Sequence, residues 1–115
     1  MKRFIIKTEM RTSYTIIRLI FWGSVIAPSY ALANLELAKK NACMSCHAVD
    51  KKLVGPAFRE VSQKYAKMSD PAVQLAQSIK KGGAGKWGPV PMPPPAALTE
   101  AEALVLAKWI VEGAK

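Results

Sequence analysis

The chain has 115 residues, half of them hydrophobic, with 17 Lys and Arg against 8 Asp and Glu and a formal net charge of +9. That length supports one small domain. Two Cys and one His fall short of a four-ligand structural zinc site, and the cationic excess raises nucleic acid or an acidic protein as partner.

Residues 1–33 have the organisation of a secretory signal peptide. Lys2, Arg3, Lys7, Arg11 and Arg18 form a basic region opposed by Glu9 alone, residues 19–27 are an apolar run, Pro28 breaks it, and Ala31 and Ala33 frame an A-x-A site. Cleavage is predicted before Asn34. The alternative is a retained anchor, but the run is nine residues long where a spanning helix needs roughly 20, and extending it through Ile16 and Ile17 would bury Arg18. No stable membrane insertion is therefore expected after cleavage. The remaining domain, residues 34–115, has 12 basic and 7 acidic residues, a net +5. The leader thus explains much of the raw excess, and the aromatics are not interleaved with the lysines, so nucleic-acid binding is not expected. Lys39-Lys40, Lys51-Lys52, Lys64 with Lys67, and Lys80-Lys81 near Lys86 are either a solvated surface or a field that steers an acidic protein partner.

Asn34 is placed to cap a first helix through Ala42, with Glu36 in its first turn and Leu35, Leu37, Ala38 and Ala42 as a modest apolar face. That helix delivers Cys43-Met44-Ser45-Cys46-His47. Two thiols three positions apart, followed at once by an imidazole, are the attachment signature of a c-type haem. Each thiol can add across one vinyl group of the porphyrin, and one helical turn between them lets both reach the same ring edge. His47 is then set to give a nitrogen to the iron. A thioredoxin-like pair would need βαβ surroundings that the chain lacks, and a plain disulfide leaves His47 without a role. A domain of 82 residues is marginal on its own apolar core; one covalently held haem c would supply the rest.

Residues 48–55 have no clean period and are expected to be loop. Gly55-Pro56 is predicted to open a second helix, with Pro56 in its first turn and Phe58, Val61 and Tyr65 on a buried face to about residue 65. Asp70-Pro71 starts a third helix as cap and first-turn proline; it carries Val73, Leu75, Ala76 and Ile79 and stops at Gly82-Gly83. Thr99 and Glu102 form a capping box for the last helix. Leu98, Ala101, Val105 and Trp109 are expected to form one apolar stripe and Ala103, Leu106 and Ile110 its neighbour, with Gly113 as the stop. Trp109 is expected to be a packing residue.

Between the third and last helices, residues 82–95 hold four of the seven Gly and five of the eight Pro around Trp87 and Met92. Gly85-Lys86 is followed by Trp rather than Ser or Thr, so this is no phosphate loop. Prolines fix φ and lower the entropy lost on ordering, which suits a loop that must hold one side chain still. With no second His, the far side of a haem iron must take Met, water, an amine or nothing. Met1 and Met10 leave with the leader, Met44 lies inside the attachment loop and Met68 in a polar link. Elimination points to Met92, 45 residues after His47, as the second ligand of a His/Met set; the alternative is an apolar plug.

Gly55-Pro56-Ala57-Phe58, Trp87-Gly88-Pro89-Val90-Pro91-Met92-Pro93-Pro94 and Leu106-Ala107-Lys108-Trp109-Ile110 resemble the small bacterial class I cytochromes c of the c-551/c-552 group. The resemblance covers essentially all of residues 34–115 and is most specific in the Trp-to-Met loop. It implies an all-α class I cytochrome c fold of about four short helices around one haem, with the terminal helices crossing beside it. It implies thioethers from Cys43 and Cys46 and axial ligation by His47 and Met92. The Pro56 carbonyl would orient His47 through its Nδ1–H, and Trp87 would donate to a haem propionate. Two positions depart from the family pattern: Pro95 stands where Asn is frequent, and Ser78 where a basic residue near the inner propionate is common. Both bear on the groups that tune the potential.

These features together predict a monomeric periplasmic electron carrier and not an enzyme. The resemblance suggests a membrane cytochrome bc complex as donor, with a terminal oxidase or a cytochrome cd nitrite reductase as acceptor, each docking through acidic patches. A small haem peroxidase or gas sensor with an open sixth site is the main alternative, though the only His is already spent. A thiol oxidoreductase or metal chaperone using Cys43 and Cys46 is a second.

Overall fold

The computed structural model of the protein describes residues 30–115; the basic region and apolar run of the leader lie outside them. Four helices follow one another: α1 (Tyr30–Lys40), α2 (Phe58–Tyr65), α3 (Pro71–Lys81) and α4 (Glu100–Val111), with a single 3₁₀ turn at Cys43–Ser45 between α1 and α2. Among the described residues, β pairing is limited to one bridge between Gly83 and Met92. The all-α expectation holds.

The helix α4 is the hub against which α1, α2 and α3 all pack. Thr99 caps it as predicted: the Thr99 Oγ1 accepts from the Glu102 N–H at 3.1 Å, and the Glu102 carboxylate accepts from the Thr99 N–H at 2.9 Å. Its buried residues are Ala103, Leu106, Ala107, Trp109 and Ile110. The spacing 103, 106, 107, 110 is the single core-facing arc that a helix can offer. The expected stripe of Leu98, Ala101, Val105 and Trp109 holds only in part: Leu98 and Trp109 are buried, but Ala101 and Val105 lie outside that arc and are exposed. Leu98 is fully buried but precedes the helix, and Lys80 on α3 donates to its carbonyl. Ala38 on α1 joins Ala103 and Ala107 in the core, where small side chains let helices approach closely.

The other helix boundaries correct the sequence expectations in instructive ways. In the 115-residue chain the helix α1 begins at Tyr30, so Asn34 is inside it rather than at its cap; the preceding turn, which cleavage before Asn34 would remove, engages the backbone donors that a cap would serve. It ends at Lys40, and Ala42 takes a left-handed conformation (φ 56°) that turns the chain into the 3₁₀ turn. Ala42 is consequently exposed rather than part of an apolar face. Pro56 lies ahead of α2, not in its first turn: Ala57 is the cap, and the Glu60 carboxylate accepts from its N–H at 2.9 Å. Asp70 also adopts a left-handed backbone (φ 49°) and its carboxylate caps nothing, while Pro71 does open α3. On α3, Leu75, Ala76 and Ile79 are buried, but Val73 is exposed.

The Glu102 carboxyl is held below its ordinary value, first by the Thr99 N–H and then by the Thr99 hydroxyl. A depressed carboxyl pKa contributes stability that is complete above the unfolded value and lost as pH falls through the folded one. Thr99→Ala removes the cap and should cost about 1 kcal/mol at neutral pH. In urea titrations, the gap from the parent protein should narrow as pH is lowered through the carboxylate range.

Candidate haem-binding site

A cavity of about 620 Å³ opens between the helices and the Gly/Pro-rich loop, within the roughly 300–1,000 Å³ span of ligand pockets. Cys43, Cys46, His47, Pro56, Trp87 and Met92, the six residues singled out by the sequence, all line it. Its apolar lining comes from all four helices: Ala38 of α1, Phe58 of α2, Leu75 and Ile79 of α3, Leu106 and Ile110 of α4.

The attachment segment is wound tightly. The His47 N–H donates to the Cys43 carbonyl at 3.0 Å and the Gly55 N–H to the Cys46 carbonyl at 2.7 Å. His47 Nδ1 lies 2.8 Å from the Pro56 carbonyl oxygen. A carbonyl only accepts, so the proton sits on Nδ1 and Nε2 keeps its lone pair, as a metal-bound imidazole requires. The ring stacks on Phe58 with centroids 5.3 Å apart and planes 18° apart, and Phe58 meets Trp109 edge-on at 5.6 Å. Trp109 is thus a packing residue as expected, and its indole N–H donates to the Lys115 carbonyl at 3.0 Å. Gly55 supports the same ring from below: a Cβ there would lie 2.8 Å from Nδ1 and 3.0 Å from Nε2.

Both thiols are free. Burial pushes the Cys43 thiol above its ordinary value, and its Sγ lies 3.8 Å from the Asn41 carbonyl. Among the described residues, no group of three or more His, Cys, Asp and Glu is gathered as a metal site would require.

The loop that carries Met92 is pinned by backbone. The Met92 N–H donates to the Gly83 carbonyl at 2.8 Å, and the Gly83 N–H returns to the Met92 carbonyl at 3.0 Å. Gly82 permits this approach. Its φ is +66°, and a Cβ would meet the Met92 carbonyl oxygen at 2.5 Å and the Pro94 nitrogen at 2.9 Å. Trp87 is partly buried, with the Lys64 ammonium 4.3 Å above its ring, and Lys64 also donates to the Lys86 carbonyl at 3.3 Å.

Sequence reasoning missed a polar cluster on the cavity lining. Tyr65 was expected only to pack, yet its hydroxyl donates to Ser78 Oγ at 2.8 Å and accepts from Lys86 Nζ at 2.6 Å. Nothing in the spacing of positions 65, 78 and 86 announces this meeting; the lack of an acidic residue near Lys86 in the chain is the one available hint.

The model of the cytochrome c family matches residues 35–114. The chain belongs to that family. It is 46% identical to cytochrome c-552 of Nitrosomonas europaea over 77% of this chain and 86% of that protein. It is 55% identical to cytochrome c-551 of Pseudomonas denitrificans over 66% of this chain and 92% of the relative. The crystal structure of the wild-type Nitrosomonas europaea cytochrome c552 superposes with a TM-score of 0.67 at 47% identity, covering 69% of this chain and 98% of that one. The fold is that of class I cytochromes c. With Cys43 and Cys46 beside a histidine whose Nε2 is free, in a cavity of the right size and apolarity, the chain carries one covalently bound haem c and acts in electron transfer rather than as an enzyme.

Gly55→Ala should displace the imidazole from its seat against the Pro56 carbonyl. The expected result is a severalfold lower yield of holoprotein, read as covalent haem per protein after acid–acetone extraction.

Proposed function

We propose that this small haem c electron carrier works in the periplasm, with His47 and Met92 as the axial ligands of its iron. One observation supports the ligand set above all. Of Met44, Met68 and Met92, only Met92 lines the cavity that also holds the sole histidine; Met44 and Met68 pack against the core outside it. When bound, the haem supplies an iron that cycles between ferrous and ferric states. The chain supplies what surrounds it. A soft thioether from Met92 favours the ferrous state and raises the potential. Filling both axial positions leaves no site for a substrate. The bridge between Gly83 and Met92, and the prolines flanking it, hold the thioether with little freedom to move between oxidation states.

The surface beside the cavity suits a protein partner. Val54 and Val90 line the cavity yet are exposed, and Lys52 and Lys81 share its lining. Apolar contact at the rim with lysines around it favours a brief encounter with an acidic patch, where charge raises the rate of association more than the affinity. On this reading the partners are a membrane cytochrome bc complex as donor and a terminal oxidase or cytochrome cd nitrite reductase as acceptor. The leader directs export and is cut before Asn34, leaving a monomeric domain. Among the described residues, no helix is long and apolar enough to cross a membrane.

Met92→Ala should keep its covalent haem but lose the six-coordinate low-spin spectrum of the parent, with a lower reduction potential. An unchanged spectrum would rule Met92 out as ligand, and high-spin iron in the parent protein would favour an open-site sensor or peroxidase instead. The mass of the protein recovered from a periplasmic fraction should correspond to haem plus residues 34–115; an intact leader would overturn the export reading.

A further inference from the structure

Among the described residues, every charged one on the cavity lining is a lysine: Lys52, Lys81 and Lys86. No Asp or Glu joins them. An apolar cavity edged by cations and by no carboxylate is built for a ligand with an apolar body and anionic arms. Among those lysines, Lys86 is distinguished by what its amine does. The residue is exposed as a whole, but its Nζ turns back over the Tyr65 ring, 4.4 Å from the centroid, and donates to the Tyr65 hydroxyl at 2.6 Å. Tyr65 is 1% exposed and spends its own proton on Ser78 Oγ at 2.8 Å. All three residues line the cavity.

An ammonium has three donors, and Tyr65 accepts only one of them. Among the described residues, the ion pairs are made by Lys39, Lys40, Arg59 and Lys80, and none involves Lys86 or Lys64. Lys64 lies over the Trp87 ring and on the Lys86 carbonyl. Two ammonium groups and an indole therefore gather at one end of the loop without an anion to balance them. The haem brings such anions in its propionates.

We propose that Lys86 is the cation that pairs with a haem propionate in this protein. The Ser78 hydroxyl anchors Tyr65, and Tyr65 anchors Lys86. A cation fixed beside the haem disfavours the additional positive charge of ferric iron, so Lys86 raises the reduction potential. It also ties the Trp87 end of the loop to α2 through Tyr65.

The proposal rests on the haem-carrier reading, and the test separates the two. Midpoint potentials are measured by spectroelectrochemical titration on holoproteins carrying Lys86→Met, Lys86→Arg, Lys86→Met with Ser78→Lys, and Lys108→Met. The last lies on the exposed side of α4 and off the cavity lining. Lys86→Met should lower the potential by the equivalent of a roughly three- to tenfold change in the ferric-to-ferrous ratio, tenfold being about 59 mV for one electron. Lys86→Arg should keep the parent value. Adding Ser78→Lys to Lys86→Met should restore most of the loss, and Lys108→Met should shift the potential far less than Lys86→Met does. A Lys86→Met potential equal to the parent's, or to that of Lys108→Met, overturns the proposal. So does a fall that Ser78→Lys fails to reverse. A parent protein without a low-spin haem spectrum would instead strike at the carrier reading itself.

Discussion

The site depends first on one hydrogen bond, from His47 Nδ1–H to the Pro56 carbonyl at 2.8 Å. It selects the tautomer, fixes the ring plane and leaves Nε2 as the free nitrogen. The bond also explains why the chain departs from helix where it does. In a helix that included Pro56, that carbonyl would be committed to a backbone N–H one turn on. Starting α2 at Phe58 releases it for the imidazole, and the Glu60 carboxylate takes the Ala57 N–H. Each residue from Gly55 to Phe58 then has a distinct part. Gly55 leaves room for the ring, Pro56 offers its carbonyl, Ala57 turns the chain and Phe58 stacks against the imidazole.

A second constraint acts on the Met92 loop, which must be ordered without the hydrogen bonds of a helix. Its prolines reduce the freedom it loses on ordering, but they also remove donors. The backbone bonds that remain are therefore concentrated at Gly83 with Met92, and at Gly85 with Gly88. Gly82 makes the first of these possible, because a side chain there would collide with the Met92 carbonyl. Lys64 adds a tie from α2 by lying over Trp87 and donating to the Lys86 carbonyl. The loop is thus held at both ends, by α3 near Met92 and by α2 near Trp87.

What the sequence disclosed were features carried by neighbours in the chain. The Cys43-Cys46-His47 spacing, the Thr99 and Glu102 capping box and the proline-flanked Met92 are local patterns, and the structure brings the attachment motif and Met92 to one cavity. What it concealed depends on meetings across the fold. The phase of α4 was ambiguous because its apolar residues nearly encircle it, and only packing against α1, α2 and α3 exposes Ala101 and Val105. Asp70 and Pro71 matched a capping pattern, but a left-handed backbone at Asp70 points its carboxylate elsewhere. Tyr65 has the periodicity of a core residue and is one, yet its hydroxyl meets Ser78 and Lys86 from 13 and 21 positions away. Periodicity reports which face is buried; it does not report where the one polar atom on that face finds its partners.

The core and the cofactor site share their side chains. Phe58, Leu75, Ile79, Leu106 and Ile110 belong to the buried cluster and also line the cavity. A domain this small draws a large part of its stabilisation from whatever apolar body those residues enclose, so the haem is a structural element as much as a redox one. Covalent attachment through Cys43 and Cys46 then has a thermodynamic meaning beyond retention. It makes the apolar surface of the cofactor part of the chain's own core, independent of cofactor concentration. The same arrangement couples stability to electron transfer. A change that loosens the packing of α4 on α2 and α3 loosens the cavity lining with it, and with that lining go the orientation of His47 on Phe58 and the exclusion of water on which the potential depends.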